Sequence, residues 1–462
     1  MSGASSRRVL IVGGGLAGIT AALDCAEAGA RVTLLEVRRR LGGAAYSFER
    51  DGLQMDNGQH VFLRCCTAYR ALLERLGSSH LVSVQPRLRI PVLAPGQQPI
   101  VLERNGLPAP LHLTRALLGY PHLRPLQRLA AGRAALALAR VDASLPANDE
   151  QRFGDWLARH GQDERAVAAL WDLIALPTLN VPAADASLAL AAFVFRTGLL
   201  ASADAGDIGF HDGTLSRIVG EPALSALTAA GVEVRLGWRV ESLERCDGGF
   251  EVRGRAGAAP DNEEEGEGGR EGVEDGLSGE AIIVALPHNR AEGLIEPLLG
   301  NGRGARPGRM ASSPIVNLHV VYDRKVLDEP FAAGVGTPVQ YLFDRSQAAG
   351  APSGCQYLAV SLSGAEEEMG MSVDALRERY LPAMRELLPR AREANVERFQ
   401  ATREHAATFR SSPGVGALRA QPRTSVDGLA LAGTWTATGW PATLEGAVMS
   451  GHAAARVALE AL

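Results

Sequence analysis

Lysine is almost absent from this sequence of 462 residues: Lys325 is the only one, and the remaining basic side chains are arginine. The formal net charge is −5, and no stripe of basic residues is interleaved with aromatics. These features exclude nucleic acid as an expected partner. Hydrophobic residues make up 46% of the chain and charged residues 21%, so we predict a globular protein of several intergrown domains.

Metal-binding cysteine patterns and long apolar runs are also missing. The five cysteines form no CxxC pair and no metal-ligand spacing with histidine, so we expect reduced thiols and no metal, with a redox pair at Cys65 and Cys66 as the alternative. Leu188–Phe195 falls far short of the ~20 apolar residues of a spanning helix. The N-terminus lacks a signal-peptide pattern. We predict a cytoplasmic protein, either soluble or in peripheral contact with the inner face of the membrane.

The opening residues predict a strand–helix–strand unit. Arg7–Gly13 is an apolar, β-branched run, Leu16–Ala28 has the composition of a helix, and Arg31–Glu36 is a second strand. A glycine-rich turn joins the first strand to the helix. This order is typical of the first unit of a Rossmann-like, dinucleotide-binding domain.

Glycines in that first turn predict where a dinucleotide would bind. Gly13, Gly15 and Gly18 fill the pattern G-x-G-x-x-G, which also contains Ala17. They permit a tight turn, close approach of the backbone to a pyrophosphate, and close packing of helix on strand. Glu36 ends the second strand, where a carboxylate accepts the hydroxyls of an adenosine ribose. The alternative is an ordinary glycine-rich turn without a ligand.

The remainder of the chain is predicted as one helical stretch followed by mixed elements. Leu111–Leu200 is rich in Ala and Leu, and its arginines indicate either a solvated helix face or a basic surface that rests on anionic lipid. Gly254–Gly279 is acidic and Gly-rich, which favours a flexible loop or hairpin tip. We predict strands at Val232–Arg235, Arg239–Cys246, Phe250–Arg253, Ala281–Leu286, Pro314–Tyr322, Gln356–Ser363 and Leu429–Gly433, and helices at Asp374–Leu388 and Leu444–Leu462.

The segment after the second strand contains, in order, Glu36, Arg40 and the pair Gly42-Gly43. In this order of residues the sequence resembles the flavin-dependent amine oxidase and phytoene desaturase superfamily. In that superfamily the Gly pair brings the backbone to the flavin phosphates, and an arginine often follows it. This chain has Ala44 there instead. The resemblance therefore implies that Arg40 and the helix end carry more of the interaction with the pyrophosphate.

Three later segments are similar to the same superfamily. Val232–Val240 resembles a strand pair in which the residue at Val240 touches the adenine, and Ala281–Pro287 resembles the strand that returns to the FAD domain. Ala432–Gly451 resembles the closing motif, whose helix start faces the flavin ring and stabilises its negative charge on reduction. The resemblance implies FAD contacts at Gly433, Thr434, Thr443, Leu444 and Glu445.

The segment Asp56–Leu63, followed by Cys66–Tyr69, is similar to the squalene-associated desaturase branch of the superfamily. Its Gly58 and Gln59 would form a turn near the flavin. Members of this branch are hydroxysqualene dehydroxylases, so the resemblance implies a hydrophobic isoprenoid substrate. It implies reduction of hydroxysqualene to squalene in bacterial hopanoid synthesis. The alternatives are a carotenoid-type desaturase, another enzyme of the amine oxidase family, and a non-catalytic flavin protein of a lipid-synthesis complex.

Two scarce residues limit the chemistry that the resemblance implies. Amine oxidases of the superfamily hold a lysine near the flavin, but Lys325 lies in a dissimilar segment, DRKVL. Covalent flavin attachment in the superfamily uses a cysteine of the C-terminal third, and none follows Cys355. We therefore expect non-covalent FAD and no lysine-dependent amine oxidation.

The resemblance predicts an α/β fold in which a Rossmann-like FAD-binding domain of the glutathione-reductase type is interleaved with an α+β substrate domain. We assign residues 1–75, 211–300 and 396–462 to the FAD-binding domain. Residues 76–210, which include a helical subregion, and residues 301–395 are assigned to the substrate domain.

Removal of a hydroxyl group requires an acid and a dry pocket. Candidates for the acid are His60, which follows the Gly58-Gln59 turn, and His211 with Asp212. Leu188–Leu200 is a candidate lining of the pocket. The alternatives are structural histidines and an ordinary helix core.

Overall fold

The computed structural model describes residues 7–257, 274–299 and 307–462. Within these ranges the strands are β1 (Arg8–Val12), β2 (Arg31–Glu36), β3 (Ser47–Arg50), β4 (Leu53–Asp56), β5 (Phe62–Leu63), β6 (Val82–Val84), β7 (Arg89–Leu93), β8 (Ile100–Glu103), β9 (Ile208–His211), β10 (Glu233–Leu236), β11 (Trp238–Cys246), β12 (Gly249–Ala256), β13 (Glu274–Gly279), β14 (Ala281–Val284), β15 (Ser312–Tyr322), β16 (Phe331–Gly334), β17 (Tyr341–Asp344), β18 (Gln356–Ser363), β19 (Val396–Phe409) and β20 (Leu429–Leu431).

The α-helices in the described parts of the chain vary in length from single turns to several turns. They are α1 (Leu16–Glu27), α2 (Thr67–Leu76), α3 (Thr114–Leu118), α4 (Pro125–Leu138), α5 (Pro146–Asp149), α6 (Phe153–Arg159), α7 (Glu164–Ala166), α8 (Asp172–Leu179), α9 (Leu188–Phe195), α10 (Glu221–Ala229), α11 (His288–Leu299), α12 (Ser346–Ala349), α13 (Glu366–Met369), α14 (Val373–Leu387) and α15 (Leu444–Glu460). No helix in the described part of the chain is long and apolar enough to cross a membrane.

A five-stranded parallel sheet is assembled from both ends and the middle of the chain. Its strand order is β10-β2-β1-β14-β20, and every neighbouring pair is parallel. Four of the strands, β1, β2, β14 and β20, are apolar and almost wholly buried, as expected for a parallel sheet covered on both faces, whereas the edge strand β10 is partly exposed. Helices α1 and α15 pack together against it. The carboxyl ends of β1, β2, β14 and β20 consequently share one edge, where ligands of such sheets bind. The predicted Rossmann-like α/β fold is confirmed.

A separate antiparallel sheet, β11-β12-β13, follows the parallel one. β10 and β11 do not form a hairpin, because the chain leaves the parallel sheet at Gly237 and enters this one. The ends of the predicted segment Gly254–Gly279 form a hairpin, because β12 and β13 pair there with Gly254 opposite Asp275. This agrees with the alternative of a hairpin tip, and the prediction of a flexible loop is wrong at both ends. Backbone pairing satisfies these polar residues, and Leu277 adds an apolar contact with the core. Residues 258–273 of that predicted loop lie outside the described ranges.

The substrate domain is built on a seven-stranded mixed sheet with the order β19-β15-β18-β17-β16-β7-β8. β19 pairs antiparallel with β15 along most of its length. The predicted domain boundary at residue 396 is therefore wrong, because Val396–Phe409 belongs to the substrate sheet. This strand is half-buried throughout and carries many polar side chains. It lacks the apolar pattern by which a strand is usually predicted.

β15 separates two environments by the alternation of its side chains. Val316, Leu318 and Val320 are fully buried and pack against α14. The intervening Asn317 and His319 are also buried but point to the opposite face, towards the segment after β4. Period-two alternation thus places polar groups of the substrate sheet beside the FAD-binding domain.

The predicted helical stretch consists of α3 to α9, with Pro125 and Pro146 at helix starts and Pro177 inside α8. Pro125 and Pro146 occupy the first turns of α4 and α5, where the missing N–H costs nothing. The candidate pocket lining Leu188–Leu200 is mainly core: α9 is buried against Phe153 and Trp171. This agrees with the alternative of an ordinary helix core for most of the segment.

Candidate active site

The glycine turn after β1 is held in a conformation that only glycine allows. Gly13 has φ +110°, and a Cβ there would lie 2.4 Å from the carbonyl oxygen of Ala285. A Cβ at Gly18 would lie 1.9 Å from the carbonyl oxygen of Gly13, so α1 packs directly on the turn. Gly15 is the N-cap of α1 and provides no side-chain cap, which leaves the N–H groups of the first turn available to an anion. Ala17 lies within that turn.

The second glycine pair meets the first at van der Waals contact. The Gly42 N–H donates to the Gly14 carbonyl at 2.9 Å. A Cβ on Gly43 would lie 2.8 Å from Cα of Gly15. Two backbone segments without side chains therefore lie side by side at the carboxyl edge of the parallel sheet. This arrangement forms a cradle that any larger residue would fill.

Arg40 and Ala44 flank this cradle. The Arg40 guanidinium donates to the Gly43 carbonyl at 3.1 Å and lies over the Tyr46 ring, 3.6 Å from its centroid. Ala44 is exposed, and its carbonyl accepts from the side-chain amide of Asn57. A fixed guanidinium at the cradle is compatible with the predicted contact between Arg40 and a pyrophosphate.

Glu36 lies buried at the end of β2, beside the glycine turn. Its two carboxylate oxygens accept the N–H groups of Gly14 at 2.6 Å and Arg38 at 2.8 Å. Burial raises the pKa of this carboxyl group above its ordinary value, although these backbone bonds oppose the shift. Each oxygen can accept one further hydrogen bond, so a ribose hydroxyl could still bind there.

At the other end of the chain, the loop after β20 returns to the same sheet edge. Gly433 has φ +132°, and its N–H donates to the Ser450 hydroxyl. The carbonyl of Thr434 accepts from Arg419 at 3.1 Å, and the same guanidinium nitrogen bonds the Thr436 carbonyl. Burial lowers the pKa of Arg419 to about 10. No motif or spacing in the sequence singles out Arg419, although its guanidinium fixes this loop.

Helix α15 begins with two well-defined contacts. The hydroxyl of Thr443 accepts the Gly446 N–H and caps the helix. Glu445 is buried, and its carboxylate accepts the N–H groups of Ala68 and Tyr69 at 3.0 and 2.7 Å. The side chain of Glu445 therefore caps α2 rather than facing the sheet edge. A contact of Glu445 with a cofactor would have to come from its backbone, as it would for Leu444.

The segment after β4 is fixed by a buried ion pair. Asp56 accepts from Arg345 at 2.9 Å, and the two side chains are only 4% and 12% exposed. Asp56 also accepts from the Ser47 hydroxyl and the Leu215 N–H. Arg345 further donates to the carbonyls of His211 and Gly213. Asp56 is thus a structural centre that joins three regions distant in sequence.

Asn57 is equally constrained. Its side-chain amide donates to the Glu404 carboxylate at 2.8 Å. Its backbone carbonyl accepts from the Asn317 side-chain amide and from the Thr402 hydroxyl. His319 completes the group by bonding to Thr402 at 3.0 Å. The following residues, Gly58 and Gln59, are therefore held by a network that spans both domains.

Two buried amide atoms beside this network have no hydrogen-bond partner in the structure. They are Oδ1 of Asn317 and Nε2 of Gln59. Asn317 is fully buried, and a Cβ on Gly58 would lie 3.3 Å from its other amide atom. Buried polar atoms rarely remain without partners, so such atoms indicate a bound ligand or water. The sequence signal for Asn317 was a lone amide within an apolar strand, and it was missed.

The histidine candidates differ in what they can contact. His211 is buried; its Nδ1–H donates to the His60 carbonyl at 2.9 Å, and its Nε2 accepts from the Tyr69 hydroxyl at 2.8 Å. Both nitrogens are occupied, and burial lowers its pKa to about 3. His211 is therefore a structural residue in this geometry, which argues against its predicted role as the acid.

His60 is half-buried, and its Nδ1–H donates to the Gly58 carbonyl at 3.1 Å. Its Nε2 has no partner within hydrogen-bonding distance in the described part of the chain, so this atom is available. Burial lowers its pKa below the ordinary value. Of the predicted acids, His60 alone combines a position in the constrained segment with an available ring nitrogen.

The remaining candidates lie further from this segment. Asp212 is exposed and accepts from the Ser83 hydroxyl at 2.9 Å, which places it on the surface. Val240 is half-buried on β11, next to a bulge opposite Gly254. Lys325 is also exposed and pairs with Asp328 at 3.5 Å.

Comparison with known proteins identifies the chemistry of this sheet edge. Residues 16–459 match the family described as flavin containing amine oxidoreductase. The chain belongs to this family. Its cofactor is FAD. The residues described above fit this cofactor, because the two touching glycine segments form a cradle for a pyrophosphate, and the amide atoms of Gln59 and Asn317 lack internal partners.

Individual relatives carry different activities within the family. The chain is 30% identical to a hydroxysqualene dehydroxylase from Rhodopseudomonas palustris, over 99% of each chain. It is 24% identical to a probable zeta-carotene desaturase from Synechococcus elongatus, over 98% of this chain and 99% of that one. Among solved structures, cyclohexylamine oxidase from Brevibacterium oxydans superposes with a TM-score of 0.71 and 19% identity, over 98% and 99% of the two chains. That last similarity establishes the fold alone.

Proposed function

We propose that this flavoprotein removes the hydroxyl group of hydroxysqualene reductively and thereby forms squalene for bacterial squalene and hopanoid synthesis. The observation that carries the proposal is the 30% identity to a hydroxysqualene dehydroxylase over 99% of both chains. An insertion or a missing domain would have shortened that coverage. The shared fold and cofactor leave the substrate as the inference to be tested.

The proposed reaction breaks the carbon–oxygen bond of an allylic alcohol and forms a carbon–hydrogen bond. The hydroxyl group takes up a proton and leaves as water, while the carbon skeleton gains a hydride. Reduced FAD supplies that hydride when it is bound, and an external reductant must restore it. The protein has to orient the alcohol, deliver the proton and keep water from the delocalised cation.

Neutral polar groups beside the constrained segment suit an alcohol. A hydroxyl group donates and accepts, and Oδ1 of Asn317 with Nε2 of Gln59 offers one acceptor and one donor. Asn317 is oriented by the bond from its Nδ2 to the Asn57 carbonyl. We infer that Asn317 and Gln59 position either the substrate hydroxyl or the polar edge of the flavin.

His60 is the best-placed acid among the predicted candidates. The bond from its Nδ1–H to Gly58 leaves Nε2 as the atom that would hold the proton and pass it to the hydroxyl. Burial lowers the pKa of His60, so the protonated form that can act as an acid becomes populated only as the pH falls below neutrality. We therefore expect kcat/KM to rise as the pH is lowered through this range.

The proposal also assigns the FAD contacts along the sheet edge. Gly13, Gly15, Ala17 and Gly18 would hold the pyrophosphate together with Gly42, Gly43, Ala44 and Arg40. Glu36 would hold the ribose, and Val240 the adenine. At the flavin end, the contacts would come from Gly58, Gln59, Gly433 and Thr434, and from the backbone of Thr443, Leu444 and Glu445.

Two other functions remain as alternatives. The similarity to a probable zeta-carotene desaturase favours hydride removal from a polyene, which is the reverse direction of transfer. A non-catalytic flavin protein would also retain the FAD cradle. Lysine-dependent amine oxidation is not expected, since the only lysine, Lys325, is a surface residue.

The experiment is a comparison of substrates under anaerobic conditions. FAD-loaded protein is reduced and mixed with hydroxysqualene, and oxidised protein is mixed with phytoene or with a simple amine. We expect hydroxysqualene to reoxidise the reduced protein with formation of an equal amount of squalene, and we expect neither phytoene nor the amine to bleach the oxidised protein. Bleaching of the oxidised protein by phytoene would establish the desaturase, and no reaction with any substrate would favour the non-catalytic role.

A variant test separates the acid from the scaffold. His60→Gln should reduce kcat by about a hundredfold or more while the Kd for FAD changes little, because general acid catalysis contributes factors of this size. His80→Gln is the matched control, since His80 is exposed and its ring also bonds a carbonyl of its own turn, that of Gly77. Unchanged turnover in His60→Gln would remove His60 from the mechanism.

A further inference from the structure

The outer face of α4 is apolar and basic where a solvent-exposed helix is normally polar. Leu126, Leu129, Arg133, Leu136 and Arg140 follow one another at helical spacing, and all are exposed. Leu126 is 80% exposed and Leu129 58% exposed. The opposite face of α4 is buried against the protein, mainly through alanine and leucine side chains. A leucine stripe directed at solvent indicates a surface that a partner covers.

Neighbouring segments extend this stripe into a patch. Of the eleven large hydrophobic residues that are exposed in the described part of the chain, seven fall between residues 107 and 145. They include Leu111 and Leu118, which lie beside and at the end of α3. α3 packs against α4, since a Cβ on Gly132 would lie 3.5 Å from Leu117. We call the surface formed by the exposed side chains of residues 107–145 the α3–α4 patch.

The charge of the α3–α4 patch is mainly positive. Residues 107–145 contain five arginines and one acidic residue, Asp142, although the whole chain has a net charge of −5. Arg115, Arg133 and Arg140 are exposed and form no ion pair with any described carboxylate. Arg128 is directed by its bonds to the carbonyls of Leu118 and Leu123. The patch therefore combines leucines with three exposed arginines that form no ion pair among the described residues.

We propose that the α3–α4 patch docks this protein onto the surface of an anionic lipid bilayer. Leucines inserted between acyl chains and arginines at the phosphate level are the two attractions that hold a peripheral protein at such a surface. A second copy of the chain fits less well. In a twofold contact through this face, the arginines of each stripe would oppose one another without a counter-charge.

The position of the patch connects it with the substrate domain. On the inner side of α3 and α4, Tyr120, Leu123 and Ala131 pack with Phe331 and Phe343 of the seven-stranded sheet. The apolar core of the substrate domain therefore begins directly beneath the docking surface. The proposal goes beyond the reaction and does not depend on it, because it rests on exposure and charge alone.

Vesicle flotation with the full-length, FAD-loaded protein tests the proposal. Vesicles of phosphatidylcholine containing phosphatidylglycerol should carry the protein upward, and vesicles of phosphatidylcholine alone should carry much less. Arg133→Gln with Arg140→Gln should weaken the partition coefficient about thirtyfold, given roughly a factor of five per arginine near the surface. Leu126→Asn with Leu129→Asn should weaken it by more than about tenfold.

Matched controls lie elsewhere on the surface. Leu224→Asn on α10 and Arg377→Gln on α14 replace exposed residues of the same types outside the patch, and neither should change flotation. Wild-type protein that stays with the buffer at low salt would overturn the proposal, as would equal loss in the patch and control variants. Light scattering that shows a dimer abolished only by the patch variants would assign the face to a second copy instead.

Discussion

The buried Asp56–Arg345 pair gives a quantitative test of how the site is held. Asp56→Asn changes one oxygen to an amide group and leaves the rest of the side chain in place. The retained oxygen can still accept from Ser47 and Leu215, but the new NH₂ group would face the donating guanidinium at 2.9 Å. With the two side chains 4% and 12% exposed, water cannot replace the lost acceptor.

The expected cost follows from this burial. Removing one partner of a buried pair typically lowers the free energy of unfolding by about 3–5 kcal/mol, against a total of about 5–15 kcal/mol for a domain. Asp185→Asn is the control, because Asp185 pairs with Arg152 at 3.7 Å with both side chains about half exposed or more. Exposed pairs of this kind contribute about 1 kcal/mol or less.

The assay is equilibrium unfolding in guanidinium chloride at saturating FAD, with the midpoint compared between variants. In the double variant with Arg345→Met, the loss should be smaller than the sum of the single losses, because neither charge is then left alone. If Asp56→Asn lowers the free energy of unfolding no more than Asp185→Asn does, the buried pair does not hold the segment after β4 in place.

Further predictions concern the glycine cradle, the buried His211, and the Asn317 side chain, whose Oδ1 has no hydrogen-bond partner among the described residues. Gly43→Ala should raise the Kd for FAD more than about tenfold, because its Cβ would lie 2.8 Å from Cα of Gly15. Gly52→Ala is the control and should leave the Kd unchanged, because Gly52 has a similar positive φ and open surroundings. Equal Kd values for the two variants would refute the cradle. Burial lowers the pKa of His211 to about 3, so as the pH falls the unfolded chain binds a proton at this histidine before the folded chain does. The contribution of the neutral His211 to stability is therefore complete above about pH 6.5 and is lost as the pH falls towards 3. The free energy of unfolding should fall by up to about 1.4 kcal/mol per pH unit in this range, and His211→Asn should remove that slope from unfolding curves. Asn317→Leu should shift the flavin reduction potential and lower kcat while the Kd for FAD changes less than about tenfold; an unchanged potential and kcat would mean that its orphan oxygen faces neither flavin nor substrate.

Short-range features of the sequence were sufficient for the first strand–helix–strand unit of the cofactor domain. The glycine turn, its strand and helix, and the carboxylate that ends β2 lie within about thirty residues, and their local spacing fixes their geometry. The capped start of α15 could be predicted for the same reason. The lysine content limited the chemistry without any structure, because the only lysine, Lys325, lies in a segment unlike the lysine motif of the superfamily's amine oxidases.

Only the tertiary structure decided which polar residues serve the site. The Asp56–Arg345 pair, Asn317 and Arg419 come from segments that are up to hundreds of positions apart, and no spacing rule connects them. His211 and His60 look alike in sequence, yet one has both nitrogens bonded and the other has one available. Whether a leucine on α4 faces the core or solvent likewise depends on what packs against the helix. Sequence sets the local backbone, whereas long-range packing determines which donors, acceptors and apolar side chains are left for a ligand or a membrane.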